Sequence, residues 1–225
     1  DGYLGNGAEP WKIKYTEDDY HGNYYSGFSG KLMRQNHVIL EKFDFGTTDK
    51  ILEIGGGFHP HIDFVKNDFN EYHCIDLESA QDLKAFINKN HKKIKFNYYD
   101  GKKIPFPDNH FERIIISHCL EHILEPEKFT YEMMRVLKKD GIISMALPCD
   151  PGILYRVGRF IFKMTMKKRS EDYDHDYHAA CEHVNSIFNL NVILKKKFNV
   201  IKEEYFPFKL GVIDFNLFWI IQIQK

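Results

Sequence analysis

The stretch Ile51-Leu52-Glu53-Ile54-Gly55-Gly56-Gly57 decides how the chain is read. A short apolar run that stops in three glycines predicts a buried strand followed by a tight turn. Pro60 then suits the first turn of a following helix. The same alternation continues outward. Tyr72–Ile75 predicts a second strand ending at Asp76, Gln81–Asn90 a helix, Ile94–Tyr98 a third strand and Ile114–Ile116 a fourth. Pro126–Leu137 predicts a helix stopped near Gly141, and Ile142–Leu147 a fifth strand. Strands and helices at this pitch build an open α/β sheet, mostly parallel, with helices on both faces.

Beyond Pro148 the pattern changes. Residues 153–169 and 186–197 look helical, while 171–183 are rich in acids and histidines. Phe198–Phe208 and Phe215–Gln224, turned through Gly211, predict an antiparallel C-terminal edge hairpin, which leaves 149–197 as an insertion after strand five. Upstream, the apolar spacing of Lys31–Phe43 predicts a first helix, and residues 1–10 read as a loose terminus.

Composition narrows the function. The 225 residues are 43% hydrophobic and 28% charged, an ordinary globular balance. With 31 Lys+Arg against 32 Asp+Glu there is no broad basic footprint, so neither nucleic acid nor an anionic membrane is an expected partner. The longest apolar stretch, around Leu217–Ile221, is too short to span a bilayer. Cys74, Cys119, Cys149 and Cys181 show no C-x-x-C spacing, so a reducing, cytoplasmic setting without zinc knuckles or disulfides is expected.

In open α/β sheets ligands bind beyond the carboxyl ends of the strands. Four such ends carry distinctive residues: Glu53 with Gly55, Gly56 and Gly57; Asp76 with Leu77; Asp100 with Gly101; and Ser117 with His118. Glycines let backbone approach a ligand, and Asp76 can accept from both hydroxyls of a ribose. Asp100, one strand on, can accept from an adenine amino group. A nicotinamide dinucleotide fits poorly, because the last glycine of G-x-G-x-x-G falls at Pro60. Glu53 would also repel a pyrophosphate, whereas it would attract an ammonium or sulfonium.

These residues resemble the class I S-adenosylmethionine-dependent methyltransferases. Ile51–Gly57 is similar to that family's first motif, Asp100–Phe111 to its stretch after strand three, Ser117–His122 to its strand-four end, and Arg135–Gly141 to the turn before strand five. The subgroup most resembled makes ubiquinone and menaquinone. The resemblance implies a Rossmann-like fold over roughly 50–148 and S-adenosyl-L-methionine as cofactor, with S-adenosylhomocysteine as product. Glu53, Gly55 and Gly57 would surround the methionine part, Asp76 the ribose, Asp100 and Gly101 the adenine, and Ser117 and His118 the methyl and its acceptor. The family often has a third glycine where this chain has His59, which places an imidazole near the cofactor or acceptor. A single domain is expected, with 1–45 as helical lid, 50–148 as cofactor core, 149–197 as acceptor-binding insertion and 198–225 as strand pair.

The acceptor is expected to be a small, anionic molecule, phosphorylated or nucleotide-linked, such as a sugar or surface-polysaccharide precursor. Residues 151–170 hold six basic side chains and no acid, and Arg156 and Arg159 lead as its contacts. A core helix with a solvated basic face is the plainer reading of the same run. Tyr25, among aromatics that precede the first helix, either fills core or closes over the site. For an acceptor hydroxyl the candidate bases are His118, then His178 and His183, with Tyr177 as a substrate contact. His118, Glu121 and His122 also invite a metal, but the family carries Leu-Glu-His here without one, so no metal is expected. The run Asp172–His178 with Glu182 and His183 reads as a solvated acidic loop, an acceptor site or a metal site. A protein that binds the cofactor without catalysis is the alternative function, as is a metal-assisted enzyme using the cluster at 174–183.

Overall fold

A computed structural model describes residues 25, 27–43, 46, 48–77, 83–165 and 175–225, without the side chains of Thr165, His175 and His178. Its centre is one seven-stranded sheet in the order β3-β2-β1-β4-β5-β7-β6. The strands are β1 (Lys50–Ile54), β2 (Glu71–Leu77), β3 (Ile94–Tyr99), β4 (Phe111–Ser117), β5 (Leu137–Pro148), β6 (Asn199–Phe206) and β7 (Phe218–Gln224). The first five run parallel, and β7 pairs antiparallel with both β5 and β6.

Strict alternation of side chains divides the core between two faces. Leu52, Ile114, Ile116, Met145, Trp219 and Ile221 point to one face, which α3 (Pro126–Val136) and α6 (Ile187–Lys197) cover with Phe129, Met133, Leu190 and Leu194. Ile51 and Ile115 point to the other, against Leu83 and Ile87 of α2 (Leu83–Asn90). Beside them Ala146, Phe218 and Ile220 meet Ile39 and Leu40 of α1 (Gly27–Leu40). Burial on both faces is why β4 reads as an unbroken apolar run at Ile114–Ile116.

Three expectations are corrected. The helix after β1 is a single 3-10 turn, His61–Phe64, with Pro60 extended at its start. Gly141 does not stop α3; the helix ends at Val136 and Leu137 enters the sheet at once. There the register slips, so that Leu137 pairs with Phe111 but Ile142 with Arg113, and Asp140 takes φ +63° in the irregularity. The first helix lies about one turn earlier than its apolar spacing suggests, at Gly27–Leu40. After β5 come α4 (Ile153–Thr165) and α5 (His175–Glu182). No helix among the described residues is long and apolar enough to cross a membrane.

Candidate functional site at the carboxyl ends of the strands

A cleft of about 290 Å³ opens beyond β1 and β4, walled by α1, α4 and α5. Its floor begins with Glu53. This carboxyl is 2% exposed, and it accepts from the His61 amide at 2.8 Å and from the Tyr72 hydroxyl at 2.7 Å. Burial pushes its pKa up to about 7 against those bonds. Gly55 turns the chain at φ +70°. A Cβ on Gly56 would stand 2.8 Å from the Glu53 carboxyl carbon, so only glycine lets the loop lie over that group. Asp76, at the end of β2, accepts from the Gly57 amide at 3.3 Å and the Leu77 amide at 2.8 Å, and burial lifts its pKa to about 6.

Beneath the loop a buried polar chain ties α1 to the sheet. The Arg113 guanidinium reaches Glu41 Oε1 at 2.6 Å, and His61 Nε2 reaches the same oxygen at 2.7 Å. His61 Nδ1 meets His37 Nδ1 at 2.8 Å, and His37 Nε2 lies 3.4 Å from the Tyr25 hydroxyl. Tyr25 in turn stacks on His59 with ring centres 3.7 Å apart. The expected pairing of Tyr25 and His59 with the site therefore has a mechanical basis: both rings line the cleft. Of the other aromatics expected with Tyr25, Tyr15, Tyr20 and Tyr24 lie outside the described residues, and Phe28, on α1, is exposed.

At the end of β4 the Ser117 hydroxyl is buried with no partner among the described residues. His118 follows at φ +50°, a strained conformation for a residue with a side chain. Its Nε2 is 2.8 Å from the Asn36 amide nitrogen, and its Nδ1 is 3.9 Å from Glu121. Burial and then the nearby His183 pull its pKa to about 4, so the ring is neutral and a weak base. His183 is better equipped. Its Nδ1 meets Asp150 Oδ2 at 2.7 Å, a contact that raises its pKa although burial opposes it. Glu121 completes this wall, its pKa pushed up to about 7 by burial.

The structure brings Tyr25, Glu53, Gly55, Gly56, His59, Ser117, His118, Arg159 and His183 together in one cavity. It leaves others out. The α4 residues that face the cleft are Tyr155, Gly158, Arg159 and Phe162, one helical stripe. Arg156 is turned away from that stripe, exposed, beside Ile153 and Phe160. The stripe on α5 is Ala179 and Glu182, with His183 just past its end, so Tyr177 points outward and is 55% exposed. The side chain of His178 lies outside the described residues. Asp100 is exposed and closes a turn by accepting from the Lys102 amide at 2.9 Å, with buried Gly101 next to it. Sequence reasoning passed over Asn36 and Asp150. Only Asp150 had a signal, its place two residues past β5.

Residues 52–145 match the family described as "Methyltransferase domain". Among curated proteins, the chain is 27% identical over 118 residues to phosphoethanolamine N-methyltransferase 2 of Caenorhabditis elegans, covering 50% of this chain and 27% of that protein. It is 42% identical over 74 residues to the ubiquinone/menaquinone biosynthesis C-methyltransferase of Azotobacter vinelandii, covering 31% and 29%. The chain thus spans under a third of the length of either. A solved structure of an S-adenosylmethionine-dependent methyltransferase from Aquifex aeolicus superposes with a TM-score of 0.56 at 16% identity, covering 94% of this chain and 99% of that one, a likeness of fold. Motif, strand order and sequence match agree: residues 52–145 match a methyltransferase domain, and the chain is similar in fold and motifs to the class I S-adenosylmethionine-dependent methyltransferases.

Proposed function

We propose that the chain transfers a methyl group from S-adenosylmethionine to an oxygen or nitrogen of a small molecule held between the β4 end and α4–α5. The observation that carries this reading is a single cavity joining the glycine loop and Glu53 to Glu121 and the Asp150-backed His183. The residues present fit the family's cofactor. A buried carboxyl at Glu53 would offset a cationic amino-acid end, a glycine-only loop covers it, and Asp76, at the next strand end though outside the cavity's lining, would take the ribose. When bound, the cofactor supplies a methyl carbon made electrophilic by its positive sulfur. The protein's share is then alignment, exclusion of water and removal of one proton. Tyr25 stacked on His59 screens the cavity from water. Glu121 and His183 line the side of the cavity left for the acceptor.

The finer expectation of an anionic acceptor rests on Arg159, the cation of α4 that lines the cleft, already 3.5 Å from Asp150. A cytoplasmic setting accords with four free cysteines. The test is methyl transfer from isotopically labelled cofactor to a metabolite extract, run with wild type and His183→Ala. Labelled product from wild type, reduced roughly 10²-fold or more in the variant, is expected. Tight cofactor binding with no labelled product would leave a silent binding protein instead.

A further inference from the structure

We infer that Glu121, His122 and His183 form a divalent-cation site in the wall of this cleft, and that the acceptor presents oxygen to that cation. The inference deepens the methyltransferase reading and rests on it for the acceptor, though not for the ligands. One candidate ligand atom from each of the three residues lies within 4.8 Å of those of the other two. Small side-chain rotations would bring all three onto an ion at about 2.0–2.2 Å.

The histidines are held as metal ligands are held. His122 Nδ1 is 3.0 Å from the Glu182 carbonyl oxygen, and His183 Nδ1 is 2.7 Å from Asp150 Oδ2. Each outer nitrogen is thereby fixed by an oxygen, and each Nε2 is left with its lone pair for the cleft. Anchoring of this kind orients the ring and raises the basicity of the ligating nitrogen. Glu121 supplies an independent sign. It is 2% exposed, its Oε1 lies 3.8 Å from His122 Nε2, and its Oε2 has no hydrogen-bond partner among the described residues. A buried carboxylate oxygen left unmatched is costly, and a cation removes that cost. The two segments are also locked together: the Asn185 amide donates to the Glu121 carbonyl at 3.0 Å, and the Asn185 side chain to the Ile123 carbonyl.

Two imidazoles and one carboxylate suit Zn²⁺, Mn²⁺ or Fe²⁺ better than Mg²⁺ or Ca²⁺, which prefer oxygen alone. Three protein ligands leave positions open toward the cavity. Adjacent oxygens on the acceptor, two hydroxyls or a hydroxyl beside a carbonyl, would fill them. The cation would lower the hydroxyl's pKa and offset the negative charge of Glu121, Asp150 and Glu182. The site departs from the expectation of no metal, and its ligands are drawn from the strand-four end as well as from the 174–183 segment.

The experiment titrates Mn²⁺, Zn²⁺ and Mg²⁺ into untagged, chelator-stripped full chain by calorimetry, with manganese resonance as a second readout. One equivalent of Mn²⁺ or Zn²⁺ per chain is expected, with Mg²⁺ much weaker. His122→Ala and Glu121→Gln should each weaken binding at least tenfold. Asp150→Asn, which touches no ion, should weaken it by roughly 10–100-fold. His122 is 31% exposed, so its replacement is the one least able to disturb folding, which circular dichroism checks. Absence of a stoichiometric ion, or an affinity indifferent to all three variants, overturns the site. Stripped chain that binds S-adenosylmethionine but no metal ends this inference alone. Folded chain that binds neither ends the methyltransferase reading as well.

Discussion

Replacing Glu41 by alanine should cost the fold more than any loss of apolar contact at that position suggests. The carboxylate is 1% exposed and holds both the fully buried Arg113 guanidinium, at 2.6 Å, and His61 Nε2, at 2.7 Å. Burial alone would raise its pKa, yet His61 and Arg113 together keep it below the ordinary 4.5. Its removal leaves Arg113 with the Ser144 hydroxyl, at 3.2 Å, as the described polar partner on Nε. Breaking a buried pair from one side typically costs about 3–5 kcal/mol, because a charge is stranded away from water. At about 2–4 °C per kcal/mol for a chain of this size, Tm should fall by roughly 6–20 °C. Glu41→Gln keeps the shape and loses the charge, so most of the drop should remain. Changing both partners, Glu41→Leu with Arg113→Met, should recover much of it. A carboxyl with a depressed folded pKa stabilises above its unfolded pKa and loses that contribution as pH falls through the folded value. The gap between wild type and Glu41→Ala should therefore be widest near neutrality and close below about pH 4.5. Thermal melts by circular dichroism from pH 4 to 8 would decide it. A drop under about 2 °C at pH 7.5, or no recovery in the double variant, would show that Arg113 is solvated or paired in another way.

Further expectations concern ligands. Asp76→Ala should weaken S-adenosylmethionine by about 1–3 kcal/mol in calorimetry, the cost of unmade buried hydrogen bonds; unchanged affinity would place the ribose elsewhere. Because the Glu53 pKa stands at about 7, its charge appears between pH 6 and 8. Cofactor affinity should rise about threefold to tenfold across that window, and Glu53→Gln should flatten the profile. The same raised pKa makes the unliganded fold lose stability as pH rises from 4.5 toward 7, the opposite sign to Glu41. Arg159→Ala should raise the acceptor KM roughly tenfold while Arg156→Ala leaves it unchanged; equal effects would mean that the α4 stripe facing the cleft has been misassigned.

What the sequence could reveal follows from the range of each interaction. Strands such as Ile114–Ile116 are buried on both faces and announce themselves locally, so the βα core was legible, as were the glycine loop and the acidic strand ends. The 3-10 turn after Pro60 was not, since His61 is placed by a glutamate twenty residues earlier rather than by helical spacing. Helix phase was also hidden on α4. Basic residues occur on several of its sides, and only packing shows that Arg159 and not Arg156 looks inward. The Asp150–His183 contact joins residues 33 apart across the insertion, and nothing local marks either as the other's partner.

The position of β7 bears on how the protein is made. Among the described strands it is the last in sequence, yet it lies inside the sheet between β5 and β6, and its Phe218 and Ile220, with Ala146 of β5, are what Ile39 and Leu40 of α1 pack against. At ribosomal rates of about 5–20 residues per second, α1 emerges on the order of ten to forty seconds before those partners exist. Through that interval the part of its apolar face that β7 covers, and the open edge of β5, lack their native partner. The α1 wall of the cleft is therefore completed only once β7 has been synthesised and inserted.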